Sequence, residues 1–492
     1  MTFPAAPAAA KFSGAWPAAA WLVAAWLERH ERIDALLETL PRELSGPERA
    51  RCQHQVFGVI RHFGRLDAAL GRLIAHPPRF ATRAVLFIAG FELIEASEGP
   101  AEAGQTAKIV HHAVEQTKTL TSPAEARLVN AVVRKLAGSL VAPPPAKLAD
   151  AAVLAEYYSH PEWLVRRWLV HFGPESTRLL LDWNQRPAPV YARWRVPGTP
   201  PPAWLKASAW PGFVEVPSGR WGEIKPLLTG GQIYLQDPGT RLAVGLLAPR
   251  AGETVLDACA APGGKSLLIT DTMRDGGGRV APAATSKGKD RGEGAPAPGL
   301  APVAAPTLAS VAETSERGGG TPPTAEEVAA TTGKLVAVDL PGPRIDRLKE
   351  NLARVQGVEV ALVQGDLLQG GAGLFKEHGL PAEYAAVLLD APCTNSGVMR
   401  HRVEVKWRLQ AGDFRKHAGQ QLALLHATAR LVAPGGRLVY STCSIDEEEN
   451  EDVVASFLHD TRGRFELEQK VVSLPWVDGH DGAGAFLLRR LG

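Results

Sequence analysis

Cysteine is scarce in this chain of 492 residues, which contains four: Cys52, Cys259, Cys393 and Cys443. No two of them form a Cys-x-x-Cys pair, and none has zinc-finger spacing to histidines. This pattern argues against a disulfide scaffold and a structural zinc module. We therefore expect reduced thiols, a cytoplasmic location and no bound metal.

Long apolar runs are also absent, because no segment reaches the length needed to cross a bilayer. The nearest is AWPAAAWLVAAWL at Ala15–Leu27, which precedes ERHERID rather than a small-residue cleavage site. The pattern favours a buried first helix over a signal peptide. Neither sign of charge dominates, since the formal net charge is +2. Any surface for nucleic acid must therefore be a local patch.

The first 140 residues or so predict helices throughout. In RCQHQVFGVIRHFGRLDAALGRLI, apolar residues from Cys52 to Leu73 recur at three- and four-residue steps, the pattern of one helix face. A solvated face and an RNA contact both account for the arginines opposite. These arginines are Arg51, Arg61, Arg65 and Arg72. The proline-rich segment LVAPPPAKLAD marks the first domain boundary.

Beyond this boundary, HPEWLVRRWLVHFG predicts a helix, and PVYARWRV and GGQIYLQD predict strands of a small mixed region. From about Gly252, compact apolar runs alternate with helical segments: TVLDACA, KLVAVDL, VEVALVQGD, AAVLLDAPC and GRLVYSTC. This alternation predicts βαβ units in an open, doubly wound sheet. In such sheets, ligands bind at the carboxyl ends of the strands.

Residues 275–333 interrupt the alternation. The segment is rich in Gly, Ala, Pro, Ser and Thr and has no aromatic residue, so we predict a disordered insertion. Asp257 and Asp339 are 82 positions apart, and removal of these 59 residues leaves 23. That interval is close to the roughly 20 residues between a nucleotide-binding glycine loop and its ribose-binding acid.

Polar and thiol side chains follow the predicted strands. They are Asp257, Asp339, Asp366, Asp390, Cys393 and Cys443. The loop DACAAPGGKS has glycines that let a ligand approach the backbone and the amides of a helix N-terminus. Asp339 is placed to accept hydrogen bonds from ribose hydroxyls and Asp366 to lie near an adenine, although each aspartate could instead cap a helix.

A loop with positive charge and an aromatic ring follows the fourth of these strands. It contains Arg400, His401, Arg402, Lys406 and Trp407. The mixture suits phosphate contacts and base stacking, but an ordinary exposed basic loop has the same composition.

Two cysteines beside a nucleotide site suggest covalent chemistry on a pyrimidine. Carbon 5 of the ring is a poor nucleophile, and a thiolate that adds to carbon 6 makes it able to attack an electrophilic methyl group. A carboxyl group near ring nitrogen 3 would stabilise the adduct, and a base must then remove the carbon 5 proton. The residues alone do not rank Cys443 above Cys393.

Four stretches carry a specific resemblance: YLQDPGTRLA, DACAAPGGK, LLDAPCTNSGVMR and YSTCSIDEEENE. Together they resemble the motif set of the Nop/Sun family of RNA (cytosine-5) methyltransferases. The helical region ending in ARLVNAVVRKL is similar to the NusB-like RNA-binding domain. That domain precedes the catalytic core in the bacterial small-subunit ribosomal RNA methyltransferase B group. The resemblance covers the chain except residues 275–333 and the first dozen.

The resemblance implies a Rossmann-like, S-adenosylmethionine-dependent methyltransferase core of the α/β class. An all-α NusB-like domain and a small mixed α/β connecting subdomain would precede it. The expected boundaries are 12–145, 150–236 and 237–492, with the insertion at 275–333 inside the last. S-adenosylmethionine would be held by one loop and three aspartates. These are Cys259, Ala260, Ala261, Pro262, Gly263, Gly264 and Lys265, with Asp339, Asp366 and Asp390.

The resemblance also implies three catalytic roles. Cys443 would be the nucleophile, Cys393 would act in release of the methylated RNA, and Asp390 would hydrogen-bond the cytosine. We expect methylation of carbon 5 of a cytosine in small-subunit (16S) ribosomal RNA, by a monomer that needs neither metal nor membrane. Transfer RNA and large-subunit ribosomal RNA are alternative substrates. A non-catalytic RNA-binding ribosome-assembly factor is the alternative of another class.

Three segments depart from the family pattern. Thr394 and Asn395 stand where a serine and a small residue are more usual, and Gly239-Thr240-Arg241 replaces Ala-Ser-Gln. The segment DGAGAFLLRRL lacks the expected paired aromatic residues. We expect these departures to affect substrate positioning more than reaction type.

The acidic run after Cys443 is consistent with a helix start. Ser444 and Glu447 match a Ser-x-x-Glu capping box, and acids in the first turns complement the helix dipole. Cys443 would then precede the helix N-terminus, which favours its thiolate. Most of the carboxylates would face solvent.

Overall fold

The computed structural model describes residues 14–40, 43–100, 102–140, 143–276 and 333–492. The predicted disordered insertion falls outside the described residues, except for its ends at Asp275, Gly276 and Gly333. The described chain forms a helical region, a four-stranded sheet and a seven-stranded sheet.

The helical region packs around one apolar core. Its central helix, α5, buries Phe87 and Ile88 completely. The predicted first helix is confirmed as α1, with Leu22 and Trp26 fully buried. Among the described residues, no helix is both long and apolar enough to cross a membrane. The helices are α1 (Ala15–Arg29), α2 (Ile33–Glu38), α3 (Gly46–Arg61), α4 (Phe63–Leu73), α5 (Phe80–Glu98), α6 (Gln105–Leu120) and α7 (Pro123–Ser139).

The apolar stripe from Cys52 to Leu73 belongs to two helices, so the prediction of a single helix was wrong. The chain breaks at His62, between α3 and α4. Ser159 Oγ accepts from the Gly64 amide at 2.7 Å, which satisfies a donor at the start of α4. Arg61 is also not part of a solvated face, because it is only 8% exposed and donates to the Arg400 carbonyl.

The middle region combines helices with an antiparallel sheet of order β2-β3-β1-β4. Arg193 lies on β1 and Arg195 directly follows it. Both donate to the buried carboxylate of Asp271 in the helix Gly264–Arg274. This cluster fixes the small sheet against that helix. The elements are α8 (Ala151–Tyr157), α9 (Glu162–Gln185), β1 (Val190–Trp194), β2 (Lys206–Ala207), β3 (Phe213–Val216), α10 (Trp221–Thr229) and β4 (Ile233–Leu235).

The large sheet has the order β10-β11-β9-β8-β5-β6-β7. Strands β5 to β9 are parallel, and β11 is antiparallel to β9 and β10. Alternate residues face opposite layers, so Val255 and Leu256 enter different cores. The strands are β5 (Thr254–Ala258), β6 (Lys334–Asp339), β7 (Glu359–Gln364), β8 (Tyr384–Asp390), β9 (Val432–Thr442), β10 (Phe465–Ser473) and β11 (Ala483–Arg490).

Helices cover both faces of this sheet, so the predicted Rossmann-like α/β class, with an all-α domain and a mixed subdomain before it, is confirmed. The domain boundaries stay predictions. The helices are α11 (Arg241–Leu247), α12 (Gly264–Arg274), α13 (Arg344–Leu352), α14 (Leu367–Lys376), α15 (Val405–Arg408), α16 (Asp413–Ala429), α17 (Glu451–Thr461) and α18 (Pro475–Asp478).

The basic loop after β8 joins the helical region to the sheet. Lys406 is 1% exposed and donates to the Arg61 carbonyl at 2.9 Å. Trp407 donates to the Ile60 carbonyl at 2.8 Å and lies edge-on against Phe63, with 5.0 Å between ring centroids. The proposed roles of these two side chains in phosphate contact and base stacking were therefore wrong. Both are covered by the helical region.

Candidate active site

The carboxyl ends of four adjacent parallel strands bring most of the predicted site residues together. Asp257 lies near the end of β5, Asp339 ends β6, Asp390 ends β8, and Cys443 directly follows β9. Asp390 pairs in register with Ser441 across β8 and β9. Neighbouring parallel strands end at the same sheet edge, which is where open α/β sheets bind ligands.

Cys393 and Cys443 are in direct contact. Their sulfurs are 3.0 Å apart, although the residues are 50 positions apart in the chain. The Cys443 thiol donates to Asn395 Oδ1 at 3.3 Å, and Asn395 Nδ2 donates to the Cys393 carbonyl at 2.9 Å. The contact with Cys443, followed by burial, raises the pKa of Cys393 well above its usual range. Cys393 is therefore a neutral thiol at physiological pH.

Lys265 and Asp390 form an ion pair beside the cysteines. Lys265 Nζ donates to Asp390 Oδ2 at 2.7 Å, and Ser441 Oγ donates to Asp390 Oδ1 at 2.9 Å. Burial alone would lower the pKa of Lys265, but the Asp390 carboxylate outweighs it and the pKa is raised. The site therefore contains a fixed ammonium group next to its thiols.

The loop between β5 and α12 is organised by two buried carboxylates. Asp339 accepts from the Ala261 amide at 2.8 Å, and Asp257 accepts from Ser266 Oγ at 2.5 Å. Burial raises the pKa of Asp257 to about 7. Cys259 has φ +63, and burial raises the pKa of its thiol. This supports the expectation that Cys259 packs at the strand end and offers its backbone to the site.

Asp366 caps a helix. Its Oδ1 accepts from the Leu368 amide at 2.9 Å at the start of α14. The capping alternative recognised in the sequence is thus realised at this position. Its role toward an adenine stays a prediction.

The explanation offered for the acidic run was wrong. The helix after Cys443 starts at Glu451, and the Ser444 side chain instead accepts from the Asp446 amide at 3.1 Å. Glu449 is completely buried, and Asp446 is 2% exposed and paired with Arg167 at 3.0 Å. These carboxylates do not face solvent. They hold the cysteine loops through partners that are distant in the sequence.

Glu449 supports the segment that carries Cys393. It accepts from the Thr394 amide and from Gln421 Nε2, each at 2.9 Å, and also from Thr394 Oγ1. Thr394 and Asn395, which depart from the family pattern, are therefore both used to fix the two cysteines. In the segment DGAGAFLLRRL, a Cβ at Gly484 would lie 2.2 Å from Asn450 Oδ1, so the structure requires glycine at this position.

A cavity of about 60 Å³ extends from Cys443 and Lys265 to two acids that sequence reasoning did not select, Asp237 and Asp481. Burial, and then the charge of Asp481, raises the pKa of Asp237 to about 7. His401 Nδ1 lies 2.9 Å from Asp481 Oδ1. One potential metal-ligand atom from each of Asp237, His401 and Asp481 lies within 4.8 Å of the other two. The sequence could have pointed to Asp237, because this residue lies within the YLQDPG motif. The expectation that no metal binds stays a prediction.

Two family models match this chain. The model described as 16S rRNA methyltransferase RsmB/F matches residues 315–478. The model described as the NusB family matches residues 17–138.

Curated relatives align over nearly the whole chain. Ribosomal RNA small subunit methyltransferase B of Sodalis glossinidius is 28% identical over 447 residues, covering 88% of this chain and 86% of the relative. The protein of the same name from Erwinia tasmaniensis is 25% identical over 475 residues, covering 93% and 94%. Among solved structures, the crystal structure of PH0851 has a TM-score of 0.67 at 20% identity and covers 96% of this chain and 98% of that one. This last likeness supports the fold.

The two models fall on the helical region and on the large sheet, and the relatives span both. The resemblance to Nop/Sun methyltransferases is confirmed, and with it S-adenosylmethionine as the methyl donor. The chain is therefore an S-adenosylmethionine-dependent RNA methyltransferase whose large-sheet region is similar to the RsmB/F family and whose helical region is similar to the NusB family.

Proposed function

We propose that this chain methylates carbon 5 of a cytosine in 16S ribosomal RNA through a covalent bond between Cys443 and carbon 6. The 3.0 Å approach of two sulfurs beside the Lys265–Asp390 pair carries the proposal. The family description and the names of the relatives support ribosomal RNA. A ribosomal RNA substrate is in turn consistent with a cytoplasmic enzyme. We further propose that the enzyme acts as a monomer without a metal.

The residues of the predicted cofactor site fit S-adenosylmethionine. Gly263 has φ +103, and a Cβ there would lie 3.0 Å from Leu348 Cδ1, so this tight turn before α12 requires glycine. Among the described residues, no side chain caps the N-terminus of α12, which leaves its amides for a carboxylate. Residues Cys259–Lys265, Asp339 and Asp366 would hold the cofactor, which supplies an electrophilic methyl group when bound.

Cys443 would attack carbon 6 of the cytosine as a thiolate. The ammonium group of Lys265 is close enough for a Cys443 thiolate to raise the pKa of the lysine further, after the larger effect of Asp390. Lys265 would also attract the negative charge of the attacking sulfur. The new sulfur–carbon bond moves the ring π electrons to carbon 5, and Asp390 would accept a hydrogen bond from the exocyclic amino group of the cytosine.

Cys393 would assist release. After methylation, a base must take the carbon 5 proton, the electrons of that carbon–hydrogen bond restore the ring double bond, and the electrons of the sulfur–carbon 6 bond return to Cys443. A neutral thiol 3.0 Å away can donate a hydrogen bond to that departing sulfur. The raised pKa of Cys393 keeps its proton in place for this role. Without it, the enzyme would remain attached to its product.

Substitution of single cysteines tests this division of roles. Cys443→Ala should abolish transfer of tritiated methyl groups to 16S RNA while S-adenosylmethionine still binds. Cys393→Ala should accumulate a covalent protein–RNA adduct on a denaturing gel. Cys52→Ala is the matched control, since Cys52 is a buried cysteine of the helical region, and should keep both activities.

Methyl transfer by Cys443→Ala at the wild-type rate would refute the proposed nucleophile. Bisulfite mapping of ribosomal and transfer RNA, with and without the protein, identifies the substrate. Protection only in transfer or 23S RNA would favour the alternative substrates. Absence of methyl transfer to any RNA would favour the non-catalytic assembly factor.

A further inference from the structure

The helical region contains a polar groove of about 500 Å³ between α3, α5 and α6. None of the residues that line it also lines the cavity beside Cys443. Its side chains include hydrogen-bond acceptors on the floor, two cations at the rim and a paired histidine and glutamate, His54 and Glu95. The two parts together define the chemistry of a ligand.

The floor is formed by Gln55 and Glu92. Gln55 is 2% exposed, and its Nε2 donates to Glu92 Oε1 at 3.0 Å. The indole of Trp16 donates to the same oxygen at 3.1 Å. Gln55 Oε1 is buried and finds no hydrogen-bond partner within the described residues. A buried acceptor without a donor is costly, so a ligand that supplies donors there would be stabilised.

The second floor acceptor is the other oxygen of Glu92, which makes no hydrogen bond to the described residues. Burial raises the pKa of Glu92, although the bonds from Gln55 and Trp16 oppose this effect. Glu92 therefore keeps one oxygen that can accept a further hydrogen bond. Gln55 Oε1 and Glu92 Oε2 could therefore both accept hydrogen bonds from adjacent donors on one edge of a ligand.

The rim carries positive charge. Arg51 and Lys108 are exposed; Arg51 forms no ion pair with any described residue, whereas Lys108 Nζ lies 3.9 Å from Glu102 Oε2. The acid that lines the groove beside them, Glu95, is paired with His54 at 2.6 Å. Burial, and then the nearby guanidinium of Arg51, lowers the pKa of His112. The same guanidinium opposes the effect of burial on Glu92, whose pKa burial raises. A neutral, exposed His112 ring at the rim offers a face for stacking. A phosphate is the anion that suits such a rim in an RNA-binding protein.

A ligand must present donors to the floor and negative charge to the rim. A cationic peptide would satisfy the floor, but Arg51 and Lys108 would repel it. We infer that this groove binds an unpaired guanine nucleotide of the RNA, because guanine N1–H and N2–H are adjacent donors on one edge. The base would reach Gln55 and Glu92, and its phosphate would lie between Arg51 and Lys108. This inference extends the proposed function, since it adds an anchoring site for the RNA away from the cysteines.

Ligand-observed saturation-transfer NMR with the full chain tests the inference with GMP, IMP and UMP. GMP should bind, and IMP should bind roughly tenfold more weakly because it lacks the 2-amino donor. Gln55→Leu and Arg51→Ala should each abolish the GMP signal. Arg127→Ala is the matched control on α7, where Arg127 is exposed and outside the groove.

Equal signals from GMP, IMP and UMP would overturn the guanine assignment. A GMP signal that persists in Arg51→Ala would overturn the site. Arg51 is exposed, so this variant decides the matter even if Gln55→Leu fails to fold. Stronger binding of arginine amide than of GMP would overturn the inference in favour of a protein partner.

Binding to a single-stranded 16S RNA fragment gives a second readout. Loss of one phosphate contact in Arg51→Ala should reduce the slope of log K against log salt by about 0.7. Arg127→Ala should leave the slope unchanged, and an unchanged slope in Arg51→Ala would contradict the rim assignment. GMP binding by Cys443→Ala should equal that of the wild type, so failure of the methylation proposal and failure of this inference are distinguishable.

Discussion

Replacement of Glu449 by glutamine should loosen both cysteine loops. Glu449 is completely buried and accepts three hydrogen bonds, two from Thr394 and one from Gln421. A hydrogen bond to a charged group contributes about 1.5–3 kcal/mol, and a glutamine would turn an N–H donor toward at least one existing donor. Since the amide oxygen can keep part of this network, we expect a loss of about 2–4 kcal/mol.

Differential scanning fluorimetry should detect this change as a melting temperature lowered by roughly 4–16 °C, given about 2–4 °C per kcal/mol for a domain of this size. Methyl transfer should fall as well, because Thr394 is adjacent to Cys393. Asp452→Asn is the matched control from the same acidic run, since Asp452 is exposed in the first turn of α17. It should cost below about 1 kcal/mol through the helix dipole. Equal melting temperatures for Glu449→Gln and the wild type would refute the structural role assigned to Glu449.

The remaining predictions concern oxidation and pH. Diamide should oxidise Cys393 and Cys443 to a disulfide, because the two sulfurs are already 3.0 Å apart. Methyl transfer should then be lost and should return after dithiothreitol. Peptide mapping that shows both thiols free after complete inactivation would contradict this. The pKa of Asp257 is raised to about 7 in the folded state by burial, above its unfolded value of about 3.9. The folded protein therefore binds more protons than the unfolded chain between about pH 4 and 7, and Asp257 makes stability fall as pH rises through that window. The melting temperature of Asp257→Asn should accordingly rise relative to the wild type between pH 4 and 7, whereas a constant difference would show that Asp257 ionises normally.

Much of the active site could be predicted from local sequence. The compact runs that end in Asp257, Asp339 and Asp390 are strands, and parallel strands bring their carboxyl ends to one edge. That rule placed the acids and both cysteines together without any knowledge of contacts. The motif resemblance then distinguished the roles proposed for Cys393 and Cys443, which spacing alone left equal.

The sequence by itself determined the succession of helices and strands, because apolar periodicity and turn residues act over a few positions. Tertiary structure decided the use of the charged residues. Glu449 finds Thr394 across 55 positions, and Lys406 finds Arg61 across 345. A charged side chain has the same local pattern whether it is solvated or buried against a distant partner. For this reason the acidic run had the pattern of a solvated helix start, and the sequence left the basic loop open between an RNA contact and an ordinary exposed loop. The fold then supplied the partners of Glu449 and Lys406.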